Sequence, residues 1–401
     1  MFEFGPILRT LWRNKTGALL IIVQAALTLG IVSNAAYVVH DRQQLIERPT
    51  GIDEQNLFTL RIAQLSNPKS NYQDVIRDLD EIRRLPGVVD ASFGNTSPLS
   101  NSGSSSDMTN EENPDKPVSV LTDLFSTDSH GLNTLGLKLV SGRFFNDTDI
   151  GFSGSVFGNG ADLSGIVLTR TLADALFGKD VDVLGKQLMG STVIGVVEPA
   201  MVSYVAQDYA TGVAFIANFV ANDSLTYIVR CEPGQLSQLM VKVPKLLQKL
   251  DPNRIVRNVR PVTEFKQRSY RRHISMVKML TVTMILVISV TGLGIVGLTL
   301  LWGNQRRRQI GIRRALGASR LAVMRYFLTE NLLITAIGVV LGVILSLALN
   351  QLMVQHYQMS ALPLSYILFS MLAVLLLGLL AALVPAWRSS LVSPALATRS
   401  V

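Results

Sequence analysis

The densest concentration of chemistry-bearing residues in the chain is Arg306-Arg307-Arg308-Gln309-Ile310-Gly311-Ile312-Arg313-Arg314-Ala315-Leu316-Gly317-Ala318-Ser319-Arg320. Arg325 follows, and no carboxylate appears before Glu330. The spacing predicts a short basic helix with Ile310, Ile312, Ala315 and Leu316 as its apolar residues. Gly317 suits a left-handed helix C-cap, and Ser319 can cap the N-terminus of the helix that follows. Guanidinium groups in such a run anchor a membrane protein on its cytoplasmic side and touch anionic lipid.

Other reactive constellations are absent from the sequence. No G-x-x-x-x-G-K-[ST] occurs, so these residues do not bind ATP in the P-loop manner. No G-x-S-x-G nucleophile elbow occurs either. The four histidines, His40, His130, His273 and His356, are far apart, with no H-E-x-x-H, so no metal site is expected. Gly151 to Gly160 is glycine-rich, but no strand precedes it and no Lys-Ser or Lys-Thr follows, which excludes a phosphate cradle. The acidic residues read as solvated surface. The single cysteine, Cys231, cannot form an intramolecular disulfide and reads as a small apolar residue. A non-catalytic chain with no cofactor of its own is the expectation.

The elements that position the arginine run are membrane spans. The chain is 48% hydrophobic and only 16% charged, with net charge +8, and its basic residues sit beside apolar runs. That distribution points to membrane-flanking charge and away from nucleic acid. Gly17 to Val39 and Met279 to Gly303 carry no charged residue, and neither does Asn331 to Trp387. The last stretch is long enough for two spans and breaks at Gln355-His356-Tyr357-Gln358 and Pro363. Four spans follow: one within residues 1–40, then 279–303, 330–354 and 364–387. No ionisable group lies in the core of any span, which argues against a proton or ion relay. His356 reads as an interfacial hairpin residue.

Lys and Arg in the short flanks set the orientation. Arg9, Arg13 and Lys15 precede the first span, the arginine run joins the second to the third, and Arg388 and Arg399 follow the fourth. Both termini and the arginine run are therefore expected in the cytoplasm, with the large domain outside. Phe2, Phe4, Ile7, Leu8, Leu11 and Trp12 read as an interfacial helix before the first span. Ser33-Asn34-Ala35 resembles a signal-peptide cleavage site, a rival reading that leaves the remaining topology unchanged.

Residues 41–275 form the outer domain. Asn56 to Ile62, Val88 to Phe93, Ser224 to Arg230 and Ile255 to Val259 pattern as strands, and Tyr72 to Leu85 and Leu236 to Leu250 as helices. These pieces give two β-α-β units that can close into one split α/β sandwich, with residues of about 100–220 as an inserted lobe. Ser97 to Asp107, rich in Ser, Asn and Gly, reads as a mobile loop, with order resuming after Asn113-Pro114. Residues 276–401 hold the last three spans.

The arginine run closely resembles the R-R-R-E-I-G-I-x-R-A-L-G-A-S-R signature of the FtsX-like permease family. The likeness continues through the Glu330 helix, Gly338 and Gly342 to Pro385-Ala386-Trp387-Arg388 and Val392-Ser393-Pro394-Ala395-Leu396. Gln309 and Ser393 stand where the family usually has Glu and Asp. The outer domain is similar to the periplasmic core domain of MacB-type transporters, at Leu135 to Phe145, Ile166 to Thr169, Leu176-Phe177-Gly178, Leu184-Gly185-Lys186 and Val193 to Val197.

The resemblance implies four transmembrane α-helices plus a large, two-lobed α/β periplasmic domain in the bacterial inner membrane. It implies that residues 306–320 dock on an ABC ATPase that binds the ATP. Because the chain begins directly at the first span, that ATPase is expected on a separate polypeptide. It further implies a second permease copy or paralogue, with Gly338, Gly342, Gly292, Gly294 and Gly297 allowing close helix approach. Export from the periplasm with an adaptor and an outer-membrane channel is the leading expectation. Lipoprotein release and regulation of a periplasmic partner such as a cell-wall hydrolase are the alternatives.

Overall fold

The computed structural model describes residues 15–64, 71–110, 117–153, 165–207, 209–221, 224–357 and 361–391. The interfacial-helix residues from Phe2 to Trp12 lie outside these, as do Asn113-Pro114 and the chain after Leu391. Two compact units emerge, one from residues up to 46 and from 273 onward, the other from residues 47–272.

The first unit is a helical bundle. Helix α1 covers Lys15–Glu47, and the chain returns much later as α7 (Arg271–Gln305), α8 (Arg307–Ala315), α9 (Arg320–Tyr357) and α10 (Leu364–Ser390). Among the described residues, α1, α7, α9 and α10 are long and apolar enough to cross a membrane. At about 1.5 Å per residue, even the shortest of the four exceeds a hydrocarbon core of about 30 Å. Each helix runs past its uncharged stretch because nothing in the flanking polar residues stops it. Pro363 sets the start of α10 as its N-cap, and Asn350 Oδ1 accepts the Leu362 N–H at 3.1 Å, which ties the start of α10 to α9.

Helix α1 is the hub of the bundle. Ala18 and Ile21 pack with Ile295 and Trp302 of α7 and Ile334 of α9. Ala25 and Leu29 pack with Val339 of α9 and Val374 of α10. Polar side chains add directional links in a setting where apolar packing alone is weakly selective. The Thr28 and Thr291 hydroxyls lie 2.6 Å apart, as do those of Ser33 and Ser346. Asn34 Nδ2 donates to the Ser346 carbonyl at 3.1 Å, and Asn331 Nδ2 donates to the Gly378 carbonyl at 2.7 Å. The Ser33-Asn34 pair, which reads in sequence as part of a cleavage site, is thus buried mid-helix and bonded to the third span.

The second unit is α/β. Strands β1 (Leu57–Gln64), β2 (Val88–Gly94), β12 (Ser224–Cys231) and β13 (Arg254–Pro261) form an antiparallel sheet in the order β13-β1-β12-β2. Helix α2 (Tyr72–Arg83) links β1 to β2, and α5 (Leu236–Leu250) links β12 to β13, which is the split β-α-β arrangement; the short α6 (Val262–Ser269) follows β13. Both helices bury one stripe, Val75, Leu79 and Ile82 on α2 and Leu239, Val243 and Leu247 on α5. Beneath them Arg254 and Asp78 form a buried ion pair, and the Tyr227 hydroxyl donates to the same carboxylate at 3.0 Å.

Between β2 and β12 the chain builds β3 (Ser104–Asn110), β4 (Val118–Ser126), α3 (Gly131–Leu135), β5 (Leu139–Gly142), β6 (Gly151–Ser153), β7 (Ile166–Thr169), α4 (Arg170–Phe177), β8 (Gln187–Leu188), β9 (Ser191–Val197), β10 (Val213–Ile216) and β11 (Asn218–Val220). A mixed sheet runs β3-β4-β10-β7-β9-β5, with β8 on β9, and β6 pairs with β11. Its core joins Leu124, Ile166, Leu168 and Val196 to Leu172 and Leu176 of α4.

The Ser97 to Asp107 stretch departs from the mobile loop its composition suggests. Ser104 to Asp107 belong to β3, paired with β4. Before them, the Leu99 and Asn101 N–H groups donate to the carbonyls of Val202 and Ser203 at 2.6 and 2.9 Å. Buried Leu99 adopts a left-handed φ of 58°. Tertiary hydrogen bonds supply the order that Ser and Gly lack locally. Of the glycine-rich Gly151 to Gly160, residues 151–153 are β6, and the remainder lies outside the described residues.

Candidate functional site: the arginine elbow

Helix α7 does not simply stop at Gln305. The Arg306 N–H still donates to the Trp302 carbonyl at 3.0 Å, and the Arg306 carbonyl accepts from Ile310 N–H at 3.0 Å. Arg306, at φ −96° and ψ 8°, breaks the regular helix between these two bonds, and the chain continues as α8. At the bend, Arg306 Nη1 donates to both carboxylate oxygens of Glu330 on α9, at 2.9 and 2.8 Å. Glu330 is only 2% exposed. The side chain is accommodated there because the Arg306 guanidinium, with two direct hydrogen bonds, compensates its lost hydration.

The two faces of α8 differ. Ile310, 5% exposed, packs with Val323 and Phe327 of α9 and Ala386 of α10, and Gly311 is buried beside it. On the other face, Ile312, Ala315 and Leu316 are exposed, Leu316 by 84%. Of the expected docking residues, Ile310 and Gly311 therefore hold the elbow in place, and the outward ridge is Ile312–Ala315–Leu316. The arginines divide too. Arg313 stacks on the Tyr326 ring, 4.9 Å from its centroid, and Arg314 Nη1 donates to the Ser390 carbonyl at 3.3 Å. Arg307, Arg308, Arg320 and Arg325 are exposed.

A tight turn closes the elbow. Gly317 has φ +98°, its N–H donates to the Arg314 carbonyl, and the Ala318 N–H donates to the Arg313 carbonyl, both at 3.1 Å. This is a Schellman C-cap, which needs a residue free to be left-handed. Ser319 Oγ then accepts the Ala322 N–H at 3.2 Å, capping α9.

Gly338 and Gly342 lie elsewhere, on the face of α9 against α1 of the same chain. A Cβ on Gly338 would stand 2.7 Å from Ala25 Cβ, and one on Gly342 2.9 Å from Leu29 Cβ. Gly294 is tight against Gln24 of α1, whereas nothing lies within 4 Å of Gly297.

The sequence reading missed the elbow's counterparts: Glu330 as the acceptor for Arg306, Tyr326 under Arg313, and the Ser390 carbonyl. One signal was available. Glu330 is the only carboxylate side chain after Glu264. Among the described residues no group of His, Cys, Asp and Glu is arranged to hold a metal. The elbow presents exposed guanidinium groups beside an exposed apolar edge.

Four membrane helices, an α/β outer domain and an arginine elbow between the second and third spans define a membrane permease with a large periplasmic domain. Residues 20–245 match the MacB-like periplasmic core domain, and residues 281–394 match the FtsX-like permease C-terminal domain. The chain belongs to this MacB-like, FtsX-type family of ABC exporter permeases.

Among its relatives is the macrolide export ATP-binding/permease protein MacB of Bordetella avium, 27% identical over 232 residues, which are 55% of this chain and 34% of that protein. The protein of the same name from Chromobacterium violaceum is 25% identical over 279 residues, 65% of this chain and 40% of that one. The chain spans about a third of the length of the first curated relatives it matches. Among solved structures, the periplasmic region of MacB from Actinobacillus actinomycetemcomitans aligns with 56% of this chain and 97% of that one, at 18% identity and a TM-score of 0.32.

Proposed function

We propose that this chain is the permease component of an ABC-type exporter in which ATP hydrolysis, on an ATPase outside these 401 residues, moves the outer domain through the arginine elbow and so drives export from the periplasm. The observation that carries this reading is the outward ridge of Ile312, Ala315 and Leu316, an exposed apolar edge on a helix whose other face is buried in the bundle. An exposed Leu at the end of an arginine-rich helix is a poor solvent face and a good knob for a partner's groove. Spans without charged cores favour movement of the outer domain over conduction of substrate through the bilayer. The proposed assembly holds a second permease copy or paralogue, lipid around the spans, and an adaptor with an outer-membrane channel. The large two-lobed outer domain favours export over regulation of a cell-wall hydrolase.

Leu316→Asp tests the reading. Co-purification of the ATPase from membranes should fall at least about tenfold, since a charge replaces the buried anchor of an interface. Retention of the ATPase and unchanged ATP turnover would reject docking here. Labelling Arg313→Cys with an impermeant thiol reagent tests the sidedness: reaction from outside intact cells would place the elbow on the wrong face.

A further inference from the structure

We propose that Arg306 and Glu330 form the fixed pivot of the elbow, locking the end of α7 to α9 so that a load at the α8 tip turns the spans instead of bending the helix break. The inference rests on the docking role given to the elbow above and assigns the joint that makes it work.

Several independent features converge on this pair. Glu330 is the sole carboxylate side chain in the chain after Glu264, and it sits buried where a hydrophobic residue would cost less. Its partner is the residue at which α7 bends into α8, not one of the exposed arginines a turn further on. The angle of such a break is held by the side chains that reach from it to other helices, and Arg306 stands at the break itself. The helix end just before the bend is held on two more sides. A Cβ on Gly303 would collide with Ser389 Oγ of α10, and one on Gly17 of α1 would meet the Trp302 ring at 2.7 Å. The far end, Leu316 to Ser319, is exposed apart from half-buried Ala318, and its turn is closed by backbone hydrogen bonds and the Ser319 cap. One end clamped to three helices, the middle braced by Ile310, Arg313 and Arg314, and an exposed tip at Leu316 give α8, about 14 Å long over its nine residues, the geometry of a stiff lever.

The test uses the full chain in lipid nanodiscs, with exposed Gln309→Cys, on α8 but off the docking ridge, carrying a nitroxide. Native Cys231 is buried and stays unlabelled. With Glu330 intact the label should report a rigid α8, and in Glu330→Gln its motion should quicken at least about threefold, because loss of one charge of a buried pair leaves the other without its restraint. In the complex purified with its ATPase, Glu330→Gln should keep the ATPase bound, while the ATP-dependent change in hydrogen exchange across residues 47–272 drops about tenfold. The exchanged pair, Arg306→Glu with Glu330→Arg, should recover most of that response.

Should Glu330→Gln fail to insert, Arg306→Lys and Arg306→Ala take its place. The lysine, which keeps the charge, should retain the ATP response, and the alanine should lose it; equal responses would overturn the pivot. An ordered label and an undiminished ATP response in Glu330→Gln would overturn it as well, while leaving the docking reading intact if Leu316→Asp still releases the ATPase. A Leu316→Asp variant that keeps both ATPase and ATP response would instead remove the docking reading itself.

Discussion

Gly338 approaches Ile22 so closely that a Cβ on the glycine would stand 2.8 Å from the Ile22 carbonyl oxygen. Helices α9 and α1 meet there backbone to backbone, and no side chain on α9 can relieve the contact by rotating away. Gly338→Leu should therefore destabilise the bundle by about 1–3 kcal/mol, the usual cost of overpacking. Gly297→Leu, with nothing within 4 Å of its position, should leave stability within about 0.5 kcal/mol. Thermal unfolding of the two variants in detergent checks the contrast; equal losses would mean that α1 does not pack on this face.

The Ser33 and Ser346 hydroxyls form a second link between the same helices. Ser33→Ala, Ser346→Ala and the double variant should give a coupling energy of about 0.6 kcal/mol, typical of hydrogen bonds between membrane helices. Asn34 bonds Ser346 independently, so the single Ser33 variant should still insert and fold. A double-mutant cycle on unfolding free energies measures the coupling, and a value near zero would separate the two residues.

The faces of α8 should respond oppositely to truncation. Ile310→Ala removes a side chain packed among Val323, Phe327 and Ala386 and should cost about 2–4 kcal/mol of stability. Leu316→Ala trims an 84% exposed side chain and should cost less than about 0.5 kcal/mol. Measured against ATPase co-purification, the order should reverse: Leu316→Ala weakens association and Ile310→Ala at most loosens it indirectly.

Asp123 gives the outer domain a pH dependence of predictable sign. Its carboxylate is buried and accepts the Ser203 N–H at 2.8 Å, and burial pushes its pKa up to about 6. The folded protein therefore holds this proton more tightly than the unfolded chain, whose carboxyl titrates near 3.9. Stability from this group is greatest below the unfolded value and is lost as pH rises through about 6, a difference of about 3 kcal/mol at neutral pH. Asp128, also raised to about 6 by burial against the opposing charge of Arg83, acts in the same direction. Asp123→Asn, which keeps an acceptor for Ser203, should flatten the rise in denaturant midpoint between pH 7 and pH 4 by roughly half. An unchanged profile would show that Asp123 is hydrated in solution.

The breaking of the Asp78–Arg254 pair gives a further measure. Both side chains are about 1% exposed, so Arg254→Met leaves a buried carboxylate with the Tyr227 hydroxyl at 3.0 Å and the exposed Arg77 guanidinium at 4.0 Å. A loss of about 3–5 kcal/mol is expected at pH 7. Burial already raises the Asp78 pKa against the pull of Arg254, so much of that loss should return as the pH is lowered and the carboxyl takes up a proton. Chemical denaturation at two pH values checks it.

Much of the architecture was legible because it rests on local pattern. Uncharged runs revealed the spans, since a bilayer tolerates little else. Alternation and 3.6-residue spacing revealed the β-α-β pieces at both ends of the outer domain, and Gly317 and Ser319 announced the elbow's turn through their own backbone and side-chain preferences. The stretch from Ser97 to Asp107 was illegible because its order comes from Val202 and Ser203, about a hundred residues away in the chain.

By itself, then, the sequence determined that the chain inserts as four helices, carries a large α/β domain between the first two, and bears a basic, apolar-tipped bend between the second and third. Each follows from hydropathy, period or charge within a short window. Only the tertiary structure decided that Ile310 and Gly311 turn inward while Leu316 turns out, that Gly338 and Gly342 serve contact with α1 in the same chain, and that one arginine of seven meets Glu330. Those outcomes depend on the azimuth at which packed helices settle against one another, a property of the assembled bundle that no residue's neighbours in sequence contain.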